Sequence, residues 1–379
     1  MSFRLTNEQQ MIQLMARDFA RRELEPVAGR LDREGTFPWE SLKKMAQLGL
    51  MGMMVPEAFG GSDVGAVSYS LAMQEIAYSC PSTAVTMAVC NLSCEPLVNF
   101  GTATQKQRYL VPLATGEILG AFAVTEPQAG SDAAGIRLRA ERRGGHYVLN
   151  GTKVFITNGS YAGAIVVIGR TQVEGHQGIS AFIVEPSCPG FSVGTVEEKM
   201  GLRASNTAEI ILEDCAIPKE NLLGEEGDGF RIAMMALDSG RIGIASQSLG
   251  MAQSCLDEAV AYCKERKQFG KYISTFQAIQ WMIADMATEI EAARFLALNA
   301  ASLRDEGKSF TKEASMAKLY ASEMVNRVAF RATQIFGGYG YMKDYKVERV
   351  YRDARVTTVY EGTSEVQRMV IARHVLTRA

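Results

Sequence analysis

The segment "TTVYEGTSEVQRMVIARHVL" places a carboxylate and a glycine, Glu361 and Gly362, between an apolar aromatic run and the start of a predicted helix. Thr363 and Ser364 are N-cap types, and apolar residues recur at Val366, Met369, Val370 and Val375 with near-helical spacing. Glu361 therefore falls at a helix mouth, with Val359 and Tyr360 beside it. Two roles suit that place. One is a solvated carboxylate that stabilises the positive end of the helix dipole, the ordinary role on position alone. The other is a general base in a dry pocket, where burial raises its proton affinity.

Other polar turns carry residue types that could hold a ligand. "AFAVTEPQAGSDAAG" at 121–135 is a strand-like run ending in Thr, Glu, Gln, Ser and Asp with two glycines, so backbone N–H groups and hydroxyls could approach a bound polar group. "KVFITNGS" at 153–160 and "ERKQFGKYISTFQAIQ" at 265–280 are similar. Each alone reads as an ordinary strand end or helix end. "FGGYGYM" at 336–342 follows a helix-like segment and lacks the strand-turn-helix setting of a dinucleotide fingerprint. No triphosphate-binding loop and no hydrolase nucleophile elbow is present.

The elements that must position these residues fall into three stretches. From Thr6 to about Leu113 the pattern is helical, with a capping box from Thr6 and Gln9 and apolar residues at Met11, Ile12, Met15, Phe19 and Leu24. "FGGSDVGAV" at 59–67 reads as a loop, and the run after it, through Phe100, is apolar almost all round, which predicts a deeply buried helix. From about Gly116 short Val, Ile, Phe and Thr runs alternate with Gly, Pro and Asn, and "RRGGHYV" and "LNGTK" are hairpin signals. From about Gly229 long Ala- and Met-rich helices return, joined by short loops. The expectation is an α+β chain of three domains: N-terminal helices (1–115), a middle antiparallel β domain (116–228) and a C-terminal four-helix bundle (229–379).

Composition narrows the function. The 379 residues carry 40 Lys+Arg against 42 Asp+Glu, a formal charge of −2 with no long like-charge block, so nucleic acid is not an expected partner. No apolar run approaches the roughly 18 residues of a membrane span, and the charged N-terminus lacks a signal-peptide core, so a soluble cytoplasmic protein is expected. The seven scattered cysteines suit free thiols, and the three histidines (His146, His176 and His374) sit at no metal-ligand spacing, so no metal is expected.

Taken in order, "TEPQAGSD", "FITNG", "LDSGRIGIA", "ERKQFGK", "QIFGGYGY" and "VYEGTSEVQR" resemble the acyl-CoA dehydrogenase family of flavoproteins over essentially the whole chain. The resemblance implies FAD bound between the β domain and the bundle, and oxidation of an acyl-CoA to its trans-2-enoyl-CoA. It makes Glu361 the base that takes the α proton, with the thioester oxygen held by the Glu361 N–H and a ribityl hydroxyl while Gly362 permits close approach. It places Phe122, Val124 and Thr125 along the flavin ring, Ser131 near the pyrophosphate, and Phe155 and Thr157 at the other ring face. Many members have Trp where this chain has Phe155, so contacts of an indole N–H do not carry over.

Arg266, Phe269, Gln277, Gln334, Gly337 and Gly338 are expected to reach the FAD of a neighbouring subunit of a homotetramer, with Thr363 and Glu365 on the adenosine side. Ser131, Asp238, Arg241 and Gly362 match substrate contacts, although Asp238 and Arg241 could equally be a helical ion pair. Some members carry the base on the "LDSGR" helix at the position of Gly240, which here has no side chain, leaving the "YEGT" carboxylate.

The segment 80–99 contains no Lys or Arg to pair a distal carboxylate, which disfavours a dicarboxylic substrate. A short or medium straight acyl chain is expected, with electrons passing to electron-transferring flavoprotein; branched or aromatic acyl groups stay open. The same residues suit an enoyl-CoA reductase running the reaction backwards. A helical scaffold that has lost the flavin is the non-enzymatic reading, and an acyl-CoA oxidase is disfavoured because that family is usually much longer. The 19 methionines read as core filler.

Overall fold

The computed structural model describes residues 4–171 and 176–377. Six helices and a short turn of helix precede the sheet: α1 (Asn7–Phe19), α2 (Glu25–Glu34), α3 (Trp39–Gln47), α4 (Gly65–Ser79), α5 (Pro81–Phe100), α6 (Ala103–Gln105) and α7 (Val111–Ala114). The Thr6 hydroxyl accepts from the Gln9 N–H at 3.2 Å and the Gln9 side chain accepts from the Thr6 N–H at 3.0 Å, so the expected capping box forms. α5 is buried from Pro81 to Leu97, as its uniform hydrophobicity predicts. Its Asn91 is satisfied by Met53 N–H and by the Leu50 and Met87 carbonyls, which fastens the 50–53 turn to the helix.

α4 begins within the stretch expected to be loop. The carboxylate of Asp305 accepts from the N–H groups of Ala66 at 2.6 Å and Val67 at 3.0 Å. A cap supplied from the far side of the chain leaves no local signature.

The middle stretch forms β1 (Leu119–Ala123), β2 (Arg139–Arg143), β3 (His146–Thr157), β4 (Ala162–Arg170), β5 (Ile179–Val184), β6 (Phe191–Val196), β7 (Thr207–Pro218) and β8 (Leu222–Leu223). Their order is β6-β7-β3-β2-β4-β5-β8, with β1 beside β4. Most pairs are antiparallel, but β1 runs parallel to β4, so the sheet is mixed rather than purely antiparallel. The β2–β3 hairpin lies between them in sequence and supplies the long connection that a parallel pair needs. Gly144 and Gly145 make the expected two-residue turn, with Arg143 opposite His146.

"LNGTK" is not a hairpin. Asn150 and Gly151 lie inside β3, where the register shifts and Gly151 has φ +148°. A Cβ there would meet Leu138 Cα at 2.9 Å, so the glycine serves close packing.

The last stretch holds α8 (Gly229–Glu265), the small strands β9 (Lys267–Gln268) and β10 (Lys271–Tyr272), α9 (Gln277–Asp305), α10 (Thr311–Phe336), α11 (Lys346–Ala354) and α12 (Ser364–Leu376). Helices α8, α9 and α10 bury small faces against one another, Ala293 and Ala297 meeting Ala314, Ala317 and Ala321 in one core. α4 and α5 also pack on α8, and Ala66, Val67 and Leu71 of α4 join the same core. α12 departs from expectation: its buried residues are the polar Ser364 and Gln367, while Met369 and Val375 point outward. The buried side is polar because Gln367 is used on the preceding turn, as shown below.

Among the described residues no helix is long and apolar enough to cross a membrane. The seven cysteines are free thiols.

Candidate active site

Glu361 sits in the turn between the 3-10 segment Arg355–Thr358 and α12. Its backbone is left-handed, φ 53°, and Gly362 continues with φ 85°. Such a backbone is uncommon for a side chain other than glycine and must be held by its surroundings. Thr363 caps α12 by accepting from the Val366 N–H at 3.3 Å. The Gln367 amide donates to the Glu361 carbonyl at 3.1 Å and the Gly362 carbonyl at 3.0 Å, and Lys318 Nζ donates to the same Gly362 carbonyl at 2.6 Å.

The turn aims the carboxylate inward. A Cβ added at Gly240 of α8 would lie 2.5 Å from Glu361 Oε2 and 3.4 Å from Leu92 Cδ1 of α5. Oε2 is buried and has no hydrogen-bond partner. Burial raises the Glu361 carboxyl to about 7, against the opposing pull of Lys318 and Arg241. The expected dry wall comes only partly from the chain neighbours. Tyr360 donates its hydroxyl to buried Gln247, but Val359 is exposed, and buried Leu92 of α5 lies beside Gly240.

Asp238 and Arg241 do form the ion pair that their spacing allowed, and both are largely buried. Arg241 also donates to Ser315 Oγ at 3.2 Å, and Asp238 accepts from Thr311 Oγ1. Arg241 Nε is buried without a partner, so this cluster keeps an open donor beside the carboxylate.

The strand-end residues gather on the β domain. The Thr125 carbonyl accepts from Val154 N–H at 2.9 Å, joining the "TEP" turn to β3. Below them the fully buried Lys153 donates to the Val124 carbonyl at 2.7 Å and to Glu126 at 2.8 Å, and Glu126 also accepts from the N–H groups of Arg137 and Leu138. Phe122 lies opposite Val166 in the sheet and Thr157 opposite Thr207. Ser131 is exposed. Phe155 has φ 60° and is 64% exposed, a strained aromatic held out from the sheet.

The remaining candidates collect at the other end of the bundle. Tyr262 stacks on Phe336 at 4.1 Å and Arg266 lies over the Tyr339 ring at 5.4 Å, which joins "ERKQFGK" to "QIFGGYGY". Phe269 is 92% exposed with φ 52°, and Gln277, Gln334, Gly337 and Gly338 are exposed as well. Nothing lies within 4 Å of a Cβ built at Gly337 or Gly338. Gly240 to Glu265 spans about 38 Å along α8, so this cluster stands far from the Glu361 carboxylate of its own chain. Thr363 and Glu365 lie with the first site, at the start of α12, where Glu365 is exposed.

Sequence reasoning missed Lys318, Gln367, Gln247, Leu92, Lys153 and Glu126. Lys318 had a signal: it is a lone charge on the buried Ala314, Ala317, Ala321 face of α10. Among the described residues no cluster of His, Cys, Asp or Glu could hold a metal.

Comparison with known proteins agrees with this arrangement. Residues 6–117, 121–215 and 227–376 match the N-terminal, middle and C-terminal domains of acyl-CoA dehydrogenase. An "Acyl-CoA dehydrogenase, short-chain specific" from Clostridium acetobutylicum is 48% identical over 374 residues, covering 98% of this chain and 99% of the relative. An "Acryloyl-CoA reductase (NADH)" from Anaerotignum propionicum is 51% identical over 381 residues, covering 100% and 97%. The solved butyryl-CoA dehydrogenase of Megasphaera elsdenii superposes with a TM-score of 0.97 at 45% identity, covering 99% of this chain and 100% of that one. Full-length agreement in sequence and fold means that the chain belongs to the acyl-CoA dehydrogenase family, whose members are flavin-dependent oxidoreductases.

Proposed function

We propose that this chain removes the α proton and β hydride of a short- or medium-chain acyl-CoA to give the trans-2-enoyl-CoA, with Glu361 as the base. The observation that carries this is the Glu361 carboxylate: buried, with Oε2 unpartnered, held by a left-handed turn against a glycine that leaves it room. A carboxyl raised to about 7 is ionised over part of the neutral range, yet basic enough to take a carbon-bound proton once the thioester oxygen is hydrogen-bonded.

In the step itself Glu361 takes the α proton, the Cα–H electron pair becomes the new double bond, and the β hydrogen leaves with its pair. FAD, when bound, supplies the hydride acceptor. The Glu361 N–H is offered to the thioester oxygen, and the Arg241–Asp238 cluster, with its open Arg241 Nε, suits the polar part of the CoA ester.

Several residues fit that cofactor. Phe122, Val124 and Thr125 would hold one side of the ring and Phe155 and Thr157 the other, with Ser131 toward the pyrophosphate. Two strained, outward aromatics, Phe155 and Phe269, and the open glycines 337 and 338 suit a large planar group with a phosphate tail. The distance along α8 between Glu361 and the Arg266, Phe269, Gln277, Gln334 group supports their serving the FAD of a neighbouring subunit, in keeping with the homotetramer that the family resemblance implies. Thr363 and Glu365 fit the adenosine side. Electrons then pass to an electron-transferring flavoprotein.

The names of the relatives point to short acyl groups, butyryl and acryloyl among them. The acryloyl-CoA reductase relative also favours a second reading, in which the same residues return a proton to Cα of an enoyl-CoA. Anaerobic addition of acyl-CoAs of graded length to the yellow protein tests the proposal. Bleaching by butyryl-CoA is expected. A protein that neither carries nor takes up FAD would overturn the enzymatic reading. Bleaching only by a reduced electron carrier, reversed by an enoyl-CoA, would select the reductase.

A further inference from the structure

Lys318 of α10 is fully buried, a costly placement for an ammonium unless it is paired or hydrogen-bonded. Among the described residues it makes no ion pair within 4.0 Å. Its Nζ donates to the Gly362 carbonyl at 2.6 Å. That carbonyl already accepts from Gln367 at 3.0 Å, so hydrogen-bond satisfaction alone does not call for a lysine. The turn it touches has two consecutive left-handed residues, a conformation that is unfavourable for Glu361 with its side chain.

We propose that Lys318 is a positioning residue for Glu361: its buried ammonium, bonded to the Gly362 carbonyl, holds the left-handed turn that aims the carboxylate at Gly240 and favours its ionised form. The inference rests on the reading of Glu361 as the base. The charged and titratable groups facing that carboxylate are Lys318 from α10 and Arg241 from α8, with the hydroxyls of Tyr69 from α4 and Tyr360 from the turn itself. Both tyrosines are kept protonated by burial, and Arg241 is engaged by Asp238. Lys318 acts more strongly on Glu361 than Arg241 does, since the Arg241 guanidinium is shared with Asp238, and Glu361 is the largest of the charges that support the lysine. Burial lowers Lys318 to about 8, while the neighbouring Glu361 carboxylate favours its charged form.

The test uses Lys318→Met, which keeps the apolar stem, and Lys318→Gln, which keeps a donor without charge, in the flavin-loaded protein. Two quantities are read: the pH profile of kcat/KM, and amide hydrogen exchange over residues 361–367 followed by mass spectrometry in loaded and flavin-free protein. Lys318→Met should speed exchange in that segment alone, lower kcat/KM by on the order of 10² and move the acid limb up by about one pH unit. Lys318→Gln should restore protection and leave the limb shifted. If Lys318→Met does not fold, an unshifted limb in Lys318→Gln overturns the proposal. Wild-type exchange and an unshifted limb in Lys318→Met overturn it as well. Glu361→Gln separates the two readings: full activity in that variant removes Glu361 as base, while the exchange data still decide whether Lys318 holds the turn.

Discussion

Glu361 is expensive to keep as a buried charge, and the sign of that cost makes a prediction. A carboxyl raised on folding from 4.5 to about 7 contributes its stability fully below the ordinary value and loses it as pH rises through the folded one. Glu361→Gln mimics the neutral acid. Above pH ~8 it should stabilise the flavin-free protein by roughly 3 kcal/mol, a shift of several degrees in Tm, with the gain vanishing toward pH ~5. Calorimetry across that range checks it, and a pH-independent gain would contradict it. Asp238 tests the neighbouring pair. Asp238→Ala leaves the buried Arg241 with Ser315 as its remaining partner and should cost about 3 kcal/mol in urea unfolding, whereas an exposed pair would cost under about 1 kcal/mol.

At the scale of elements the site is a turn held between α8, α10 and α12, and Gly240 is where α8 makes room. Gly240→Ala should keep the fold, because the helix favours alanine, yet push the carboxylate aside and lower kcat by on the order of 10². Steady-state kinetics beside a circular dichroism melt distinguishes this from misfolding. The start of α12 was legible in the sequence because Thr363 is a local cap. Its facing was not, because the residue it buries toward the site is Gln367, chosen for two backbone carbonyls rather than for hydrophobicity. The start of α4 was hidden for a related reason: its cap, Asp305, comes from the end of α9. Periodicity reads burial by apolar neighbours, and these elements are fixed by polar groups that arrive from elsewhere in the chain.

On the scale of the whole molecule, the helix, sheet, helix order followed from changes of residue texture, and the parallel β1–β4 pair did not, since strand direction depends on the path of the connection. The two clusters along α8 make the assembly testable. Arg266→Ala combined with Phe269→Ala lies about 38 Å along the helix from Gly240, which faces the Glu361 carboxylate. If these residues serve a neighbouring subunit, the double variant should lower flavin content severalfold while the α-proton chemistry of the flavin-loaded fraction stays intact. The ratio of flavin to protein absorbance and light scattering read this directly. Unchanged flavin content and assembly would place that cluster outside the cofactor site.

If Glu361 takes the α proton, exchange of the α hydrogen of bound butyryl-CoA with deuterated water, followed by mass spectrometry, isolates that event. The wild type should exchange at a rate that rises with pH and levels above about 7, and Glu361→Gln should show essentially none. Exchange at the wild-type rate in Glu361→Gln, or a wild-type limb near the ordinary carboxylate value of about 4.3, would remove Glu361 as the base.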